Sequence, residues 1–133
     1  IMSQLDNVKK FHFMRQNNFL KYHELINNEY LEKLDYDFNN DNIGSFVNYP
    51  VFIKHGLKSE FSKYLYNHNI DHAKYMYRNC EDLECFKIYF SKNNTSRKYS
   101  ENVILLPTYH SIGECVIKDI IKIINNFNYH EKK

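Results

Sequence analysis

Residues 102 to 127, NVILLPTYHSIGECVIKDIIKIINNF, constrain the fold more than any other stretch. Val103 to Leu106 is a run of four apolar residues, as in a strand buried on both faces. Pro107 cannot donate to a ladder and stops it. Ser111 followed by Glu114 reads as a capping box, the hydroxyl taking the amide three residues on and the carboxylate reaching back. Behind it Val116, Ile117, Ile120, Ile121, Ile124 and Phe127 form a wide stripe at helical spacing, so this helix needs a sheet to lie against. Lys122 and the final HEKK suit the negative end of its dipole.

The N-terminal part carries a second long pattern. Leu5, Val8, His12, Arg15, Phe19, Tyr22, Ile26, Tyr30 and Leu34 recur at three and four, which predicts one helix running to about Leu34. DYDFNNDNIGS, residues 35–45, then supplies turn formers. Val47 to Lys54 is β-branched and aromatic and predicts a strand, in which Pro50 argues for an edge, a bulge or the first residues. Residues 57–68 place Leu57, Phe61, Tyr64, Leu65 and His68 on one helical face, and Ile70 plugs the corner that follows. In AKYMYRN, residues 73–79, Lys74, Met76 and Arg78 alternate with Tyr75, Tyr77 and Asn79 as in a half-buried strand. Leu83, Phe86 and Phe90 fit a helix better than a strand, and 92–100 reads as polar loop.

Together these segments predict an α+β chain over residues 1–133 as a single domain: a long N-terminal helix, then a small mixed or antiparallel sheet with helices packed on one face. The opposite face should be less well covered. The length of 133 residues fits one domain with one real core.

Charge and composition exclude some classes. The formal charge is +2, with Arg15, Arg78 and Arg97 far apart and acids interleaved among the lysines. A nucleic-acid partner is therefore not expected, because phosphate neutralisation requires a concentrated basic face. A stacking role for the tyrosines of YLYNHNIDHAKYMY fails on the same ground. No apolar stretch approaches the roughly 20 residues that cross a bilayer. IMSQLDN is no signal peptide. Cys80, Cys85 and Cys115 form no framework, which fits reduced thiols in the cytoplasm.

Other candidate chemistry is weaker. His68, His72, Cys80 and Cys85 include zinc-ligand types, but the predicted helix ends near His68, so the two histidines share no helical face, and the gap in CEDLEC is too long for a usual knuckle; no metal is expected. Asp71 beside His72 suggests a base with no nucleophile placed to use it. His12 on the buried stripe reads as a hydrogen-bonded core residue, and Cys115, though near a helix N-terminus, as a buried apolar one.

Three segments then carry a resemblance. QLDNVKKFHFMRQNNFLKYHELI resembles the helix that opens the small domain of the DegT/DnrJ/StrS sugar aminotransferases, reading QL, an Arg, then a Tyr and a Leu. YPVFIKHGLKSEFSKYLYNHNI is similar to that family's strand, helix and GI corner, with Asn69 in place of the glycine. VILLPTYHSIGECVIKDII resembles its closing strand, LP, aromatic and acidic helix start. These lie in register over nearly the whole chain.

The resemblance implies a C-terminal part of a fold type I enzyme that uses pyridoxal phosphate to aminate a nucleotide-linked keto sugar for polysaccharide or glycan biosynthesis. That chemistry requires a lysine to hold the cofactor and a carboxylate to partner the pyridine nitrogen. In the family these belong to a large domain upstream of the matched region, and nothing here matches them. The chain is thus not expected to be catalytically complete or to hold the cofactor alone. Its implied partner is a large domain or second subunit; a freestanding interaction module that has lost the catalytic half is the alternative. By position in the family, Tyr75, Tyr77 and Arg78 are the candidate substrate contacts, Arg78 as a bidentate diphosphate partner. The family often has a histidine where this chain has Asn79 or Cys80. From the residues alone, Tyr75 and Tyr77 as packing residues and Arg78 as a surface residue fit the pattern better than a site, because aromatics on a strand most often pack.

Overall fold

A computed structural model describes residues 7–36, 44–74, 80–89 and 95–129. In chain order these hold helix α1 (Val8–Leu25), strands β1 (Leu31–Lys33) and β2 (Asn48–Ile53), helix α2 (Lys58–Asn67), helix α3 (Thr95–Asn102), strand β3 (Val103–Pro107) and helix α4 (Glu114–Asn125). Short 3-10 turns occupy Lys54–Gly56, Cys80–Asp82 and Glu84–Tyr89. The sheet order is β1-β2-β3, antiparallel throughout.

β2 explains how the sheet tolerates a proline. Pro50 faces Leu105 across the β2–β3 ladder. Leu105 directs both its backbone groups outward, donating to the Ala73 carbonyl at 2.8 Å and accepting from the Ala73 amide at 3.0 Å. The Pro50–Leu105 pair is therefore a non-hydrogen-bonded one, and the Pro50 nitrogen points toward β1. β1 ends at Lys33, opposite Val51, so no carbonyl of that strand awaits a donor there.

α1 stops nine residues short of Leu34. Ile26 is already extended, with ψ 122°. Asn28 takes over the backbone: its Oδ1 accepts the Tyr30 amide at 2.9 Å, and Leu31 begins a strand paired with Ile53. Tyr30 and Leu34 share the three-and-four spacing by coincidence, and β pairing overrides it.

One face of the sheet carries the core. Val51 and Ile53 of β2 and Ile104 and Leu106 of β3 meet Tyr22 of α1, Phe61 and Leu65 of α2, and Ile117 and Ile124 of α4, all fully buried. Each such aliphatic side chain contributes about 1.5–3 kcal/mol. Exposed ion pairs such as Arg97–Glu101 contribute at most about 1 kcal/mol, so burial sets the fold. Phe52 alternates to the other face, where Tyr99 of α3 meets it edge-on at 5.6 Å. The expected polar loop at 92–100 is thus replaced from Thr95 by a helix, which covers part of that second face. Its exposed residues hide it from hydrophobic periodicity, since it buries none of its own side chains. The helix expected at 81–90 is a pair of 3-10 turns as far as Tyr89, where that run of described residues ends.

The capping box does not form. Gly113 is the N-cap of α4 and makes no side-chain cap bond, so Glu114 is the first helical residue, two positions too early to reach back. Its carboxylate instead meets Lys118 at 3.0 Å and Lys21 of α1 at 3.3 Å. Hydrogen bonds from these two ammonium groups hold Glu114 below the ordinary carboxylate range.

Candidate functional site

Ala73 extends the sheet beyond β3, through its two bonds to Leu105, and launches the segment that carries the candidate substrate contacts. Tyr75, Tyr77 and Arg78 lie outside the described residues. The corner before Ala73 is a left-handed helix stop. Asn69 has φ 57°, its amide bonds the Tyr66 carbonyl at 3.0 Å, and the Ile70 amide bonds the Leu65 carbonyl at 3.0 Å. This Schellman arrangement accepts asparagine where glycine is commonest, because a short amide side chain tolerates the left-handed region.

By reversing the chain, the corner brings His72 back against α2. Ser62, 2% exposed, lies with its Oγ 2.7 Å from His72 Nε2, and His72 Nδ1 is 3.0 Å from the Ile70 carbonyl. A carbonyl only accepts, so the neutral ring carries its proton on Nδ1 and Nε2 takes the Ser62 proton. A hydroxyl therefore does stand beside His72, contrary to the sequence expectation. It is nevertheless too buried to attack anything in solvent, and Asp71 is exposed.

An open groove of about 410 Å³ lies over this pair, lined by Ser59, Ser62, Lys63, Tyr66, His72 and Lys74. Sequence reasoning missed it because Ser62 and His72 meet only through the corner; the one available signal was the histidine directly after it. Nearby, Lys58 donates to the Ser100 carbonyl at 2.8 Å. Burial first, and the like charge of Lys74 second, hold Lys58 below the ordinary lysine range.

Among the described residues, the groove over His72 contains no carboxylate to partner a pyridine nitrogen, and the nearby Lys58 ammonium is engaged by a backbone carbonyl. A second groove, about 290 Å³ beside β1, does contain Glu24 and Lys33, but the Lys33 ammonium donates to the His23 carbonyl at 2.7 Å and both side chains face solvent.

Among the described residues no group of three or more His, Cys, Asp or Glu side chains could hold a metal. Nor is any described helix long and apolar enough to cross a membrane. Cys115 is exposed, not buried, because the helix start turns its face outward. His12 packs 5.5 Å from Phe46 with its Nε2 buried and without a hydrogen-bond partner, so the expected core hydrogen bond is absent. His110 stacks on Phe11 at 3.9 Å and leaves Nδ1 in the same condition.

The fold has counterparts among solved structures. It is similar to AtS13 from Actinomadura melliaura (TM-score 0.83, 17% identity, 95% of this chain and 33% of that one). It is also similar to Helicobacter pylori PseC, an aminotransferase involved in the biosynthesis of pseudoaminic acid (TM-score 0.75, 15% identity, 92% and 34%). A third counterpart is the sugar aminotransferase Spr1654 from Streptococcus pneumoniae in its PLP form (TM-score 0.72, 17% identity, 93% and 33%). The chain thus spans about a third of the length of each. No curated protein matches the sequence. A family model matches residues 1–125, and the chain belongs to the DegT/DnrJ/EryC1/StrS aminotransferase family.

Proposed function

We propose that residues 1–133 are the small domain of a pyridoxal-phosphate-dependent enzyme that aminates a nucleotide-linked keto sugar for polysaccharide or glycan biosynthesis in the cytoplasm. The observation that carries this reading is the family match across residues 1–125 combined with coverage of only a third of each solved aminotransferase. The lysine that holds the cofactor then belongs to a large domain, on further polypeptide or on a second subunit. This domain closes over that pocket. Tyr75 and Tyr77 contact the sugar, and Arg78 bonds the diphosphate, its planar guanidinium matching two phosphate oxygens at once.

The test mixes the purified chain with pyridoxal phosphate, alone and with a family large domain, followed by borohydride reduction and peptide mass mapping. One modified lysine is expected on the large domain and no stoichiometric adduct on this chain. A single fully modified lysine on this chain alone would overturn the reading. In the reconstituted enzyme Arg78→Ala should lower kcat/KM about 10- to 100-fold, the worth of a charge-assisted bidentate contact. An unchanged value removes Arg78 from the site.

A further inference from the structure

The groove over His72 is lined by residues of two elements, each of which contributes a cation. Lys63 belongs to α2 and Lys74 to the segment that follows the corner; Ser59 adds a hydroxyl, and the exposed Tyr66 also lines the groove. Among the described residues no carboxylate lines it, and neither lysine has an ion-pair partner. The floor is polar but internally satisfied, because His72 uses both ring nitrogens, one on Ser62 and one on the Ile70 carbonyl. The donors left facing the groove are therefore two ammonium groups and a hydroxyl, the donor set that recognises a tetrahedral oxyanion.

We propose that this groove binds a phosphate group, free or esterified, between Lys63 and Lys74. Two features make the site more than scattered surface charge. The two cations come from separate elements and line one concavity that has no acid among its described lining, whereas Lys118 and Lys21, for example, share the carboxylate of Glu114. In addition, Lys74 lies close enough to Lys58 for its charge to act on that ammonium, so an anion placed there would relieve a repulsion already present. The site is open to solvent, and affinity on the order of 1 mM is expected from two screened charge contacts. This proposal stands apart from the aminotransferase reading and needs neither cofactor nor large domain.

Titration of the isotope-labelled chain with inorganic pyrophosphate, and separately with glucose 1-phosphate, at constant ionic strength tests it by amide chemical shifts. Saturable shifts at Ser59, Ser62, Lys63 and Lys74 are expected. Tighter pyrophosphate binding would assign a diphosphate, and tighter glucose 1-phosphate binding a monoester. The double variant Lys63→Gln, Lys74→Gln should weaken binding at least about tenfold. The control variant Lys9→Gln, Lys122→Gln removes the same net charge from exposed positions elsewhere and should leave binding unchanged. Absence of saturable shifts with both probes, or equal weakening by both double variants, would overturn the proposal.

Discussion

Asn125 ties the end of α4 to the end of α1: its Nδ2 donates to the Leu25 carbonyl at 2.9 Å, one hundred residues away, and its Oδ1 accepts the Asn27 amide at 2.8 Å. Asn28 reciprocates, donating to the carbonyls of Ile124 at 3.1 Å and Phe127 at 2.7 Å. Two helix ends that would otherwise leave carbonyls unsatisfied thus cap one another.

Removing either amide should therefore uncouple the helices. Asn125→Ala is expected to destabilise the fold by about 1–2 kcal/mol, and Asn28→Ala by about 2–3 kcal/mol, because Asn28 also holds the Tyr30 amide that starts the turn into β1. Urea denaturation followed by far-UV circular dichroism measures both. Equal, negligible losses would show that burial alone joins α1 and α4.

Thr108 secures the entry to β2. Its hydroxyl, fully buried, lies 2.6 Å from the Phe46 carbonyl and 2.7 Å from the Val47 carbonyl, and shares one proton between them. Phe46 sits at φ 48°, in the left-handed region that L side chains seldom occupy. Its ring is held by Phe19 at 5.0 Å. Thr108→Val keeps the shape and deletes the donor, so a loss of about 1–3 kcal/mol is expected, with Thr108→Ser much closer to wild type. Chemical denaturation of the two variants decides the point.

At the corner after α2 the backbone, not the side chain, sets the requirement. Asn69→Gly should keep or raise stability by up to about 1 kcal/mol, since glycine enters the left-handed region without steric cost. Asn69→Val should lower it by about 1–2 kcal/mol. The valine variant should also move His72 away from Ser62, and side-chain NMR of the histidine ring would show its Nδ1–H tautomer lost.

Two tyrosines predict how the fold responds to base. Burial raises the Tyr22 phenol well above its ordinary value and pushes Tyr49 up to about 12. Unfolded, both would ionise near 10. Below pH 10 both states hold the protons, and the contribution to stability is complete. Between pH 10 and 12 the unfolded chain releases protons that the folded one retains, so stability falls as pH rises through this window. An absorbance titration of tyrosinate should show these two groups ionising together with the loss of circular dichroism. A free, early titration of both would contradict their burial.

Much of this was legible in the residues. The run Val103 to Leu106, halted by Pro107, is β3, and the apolar stripe behind it is α4 with all but Val116 turned inward. Residues 48–53 and 58–67 form the expected strand and helix, and Asn69 stands at the glycine-like corner. Local patterns of this kind succeed where a segment meets the core with one face, because burial imposes its period on the sequence. They failed at Tyr30 to Leu34, where a short strand shares the spacing of a helix, and at Thr95 to Asn102, where a helix presents no apolar stripe.

The sequence by itself determined the α+β class, the succession of β2, α2, β3 and α4, and the family, since each follows from periodicity or from residues in register. Tertiary structure alone decided which strand pairs with which, that Pro50 could sit in the middle strand, that Glu114 would bond Lys21 instead of capping its helix, and that Ser62 and His72 would meet in a groove also lined by two lysines. Those relationships depend on distances between residues far apart in the chain or turned toward each other by a single left-handed residue. No local pattern encodes such distances; they are settled only when the shared core is closed.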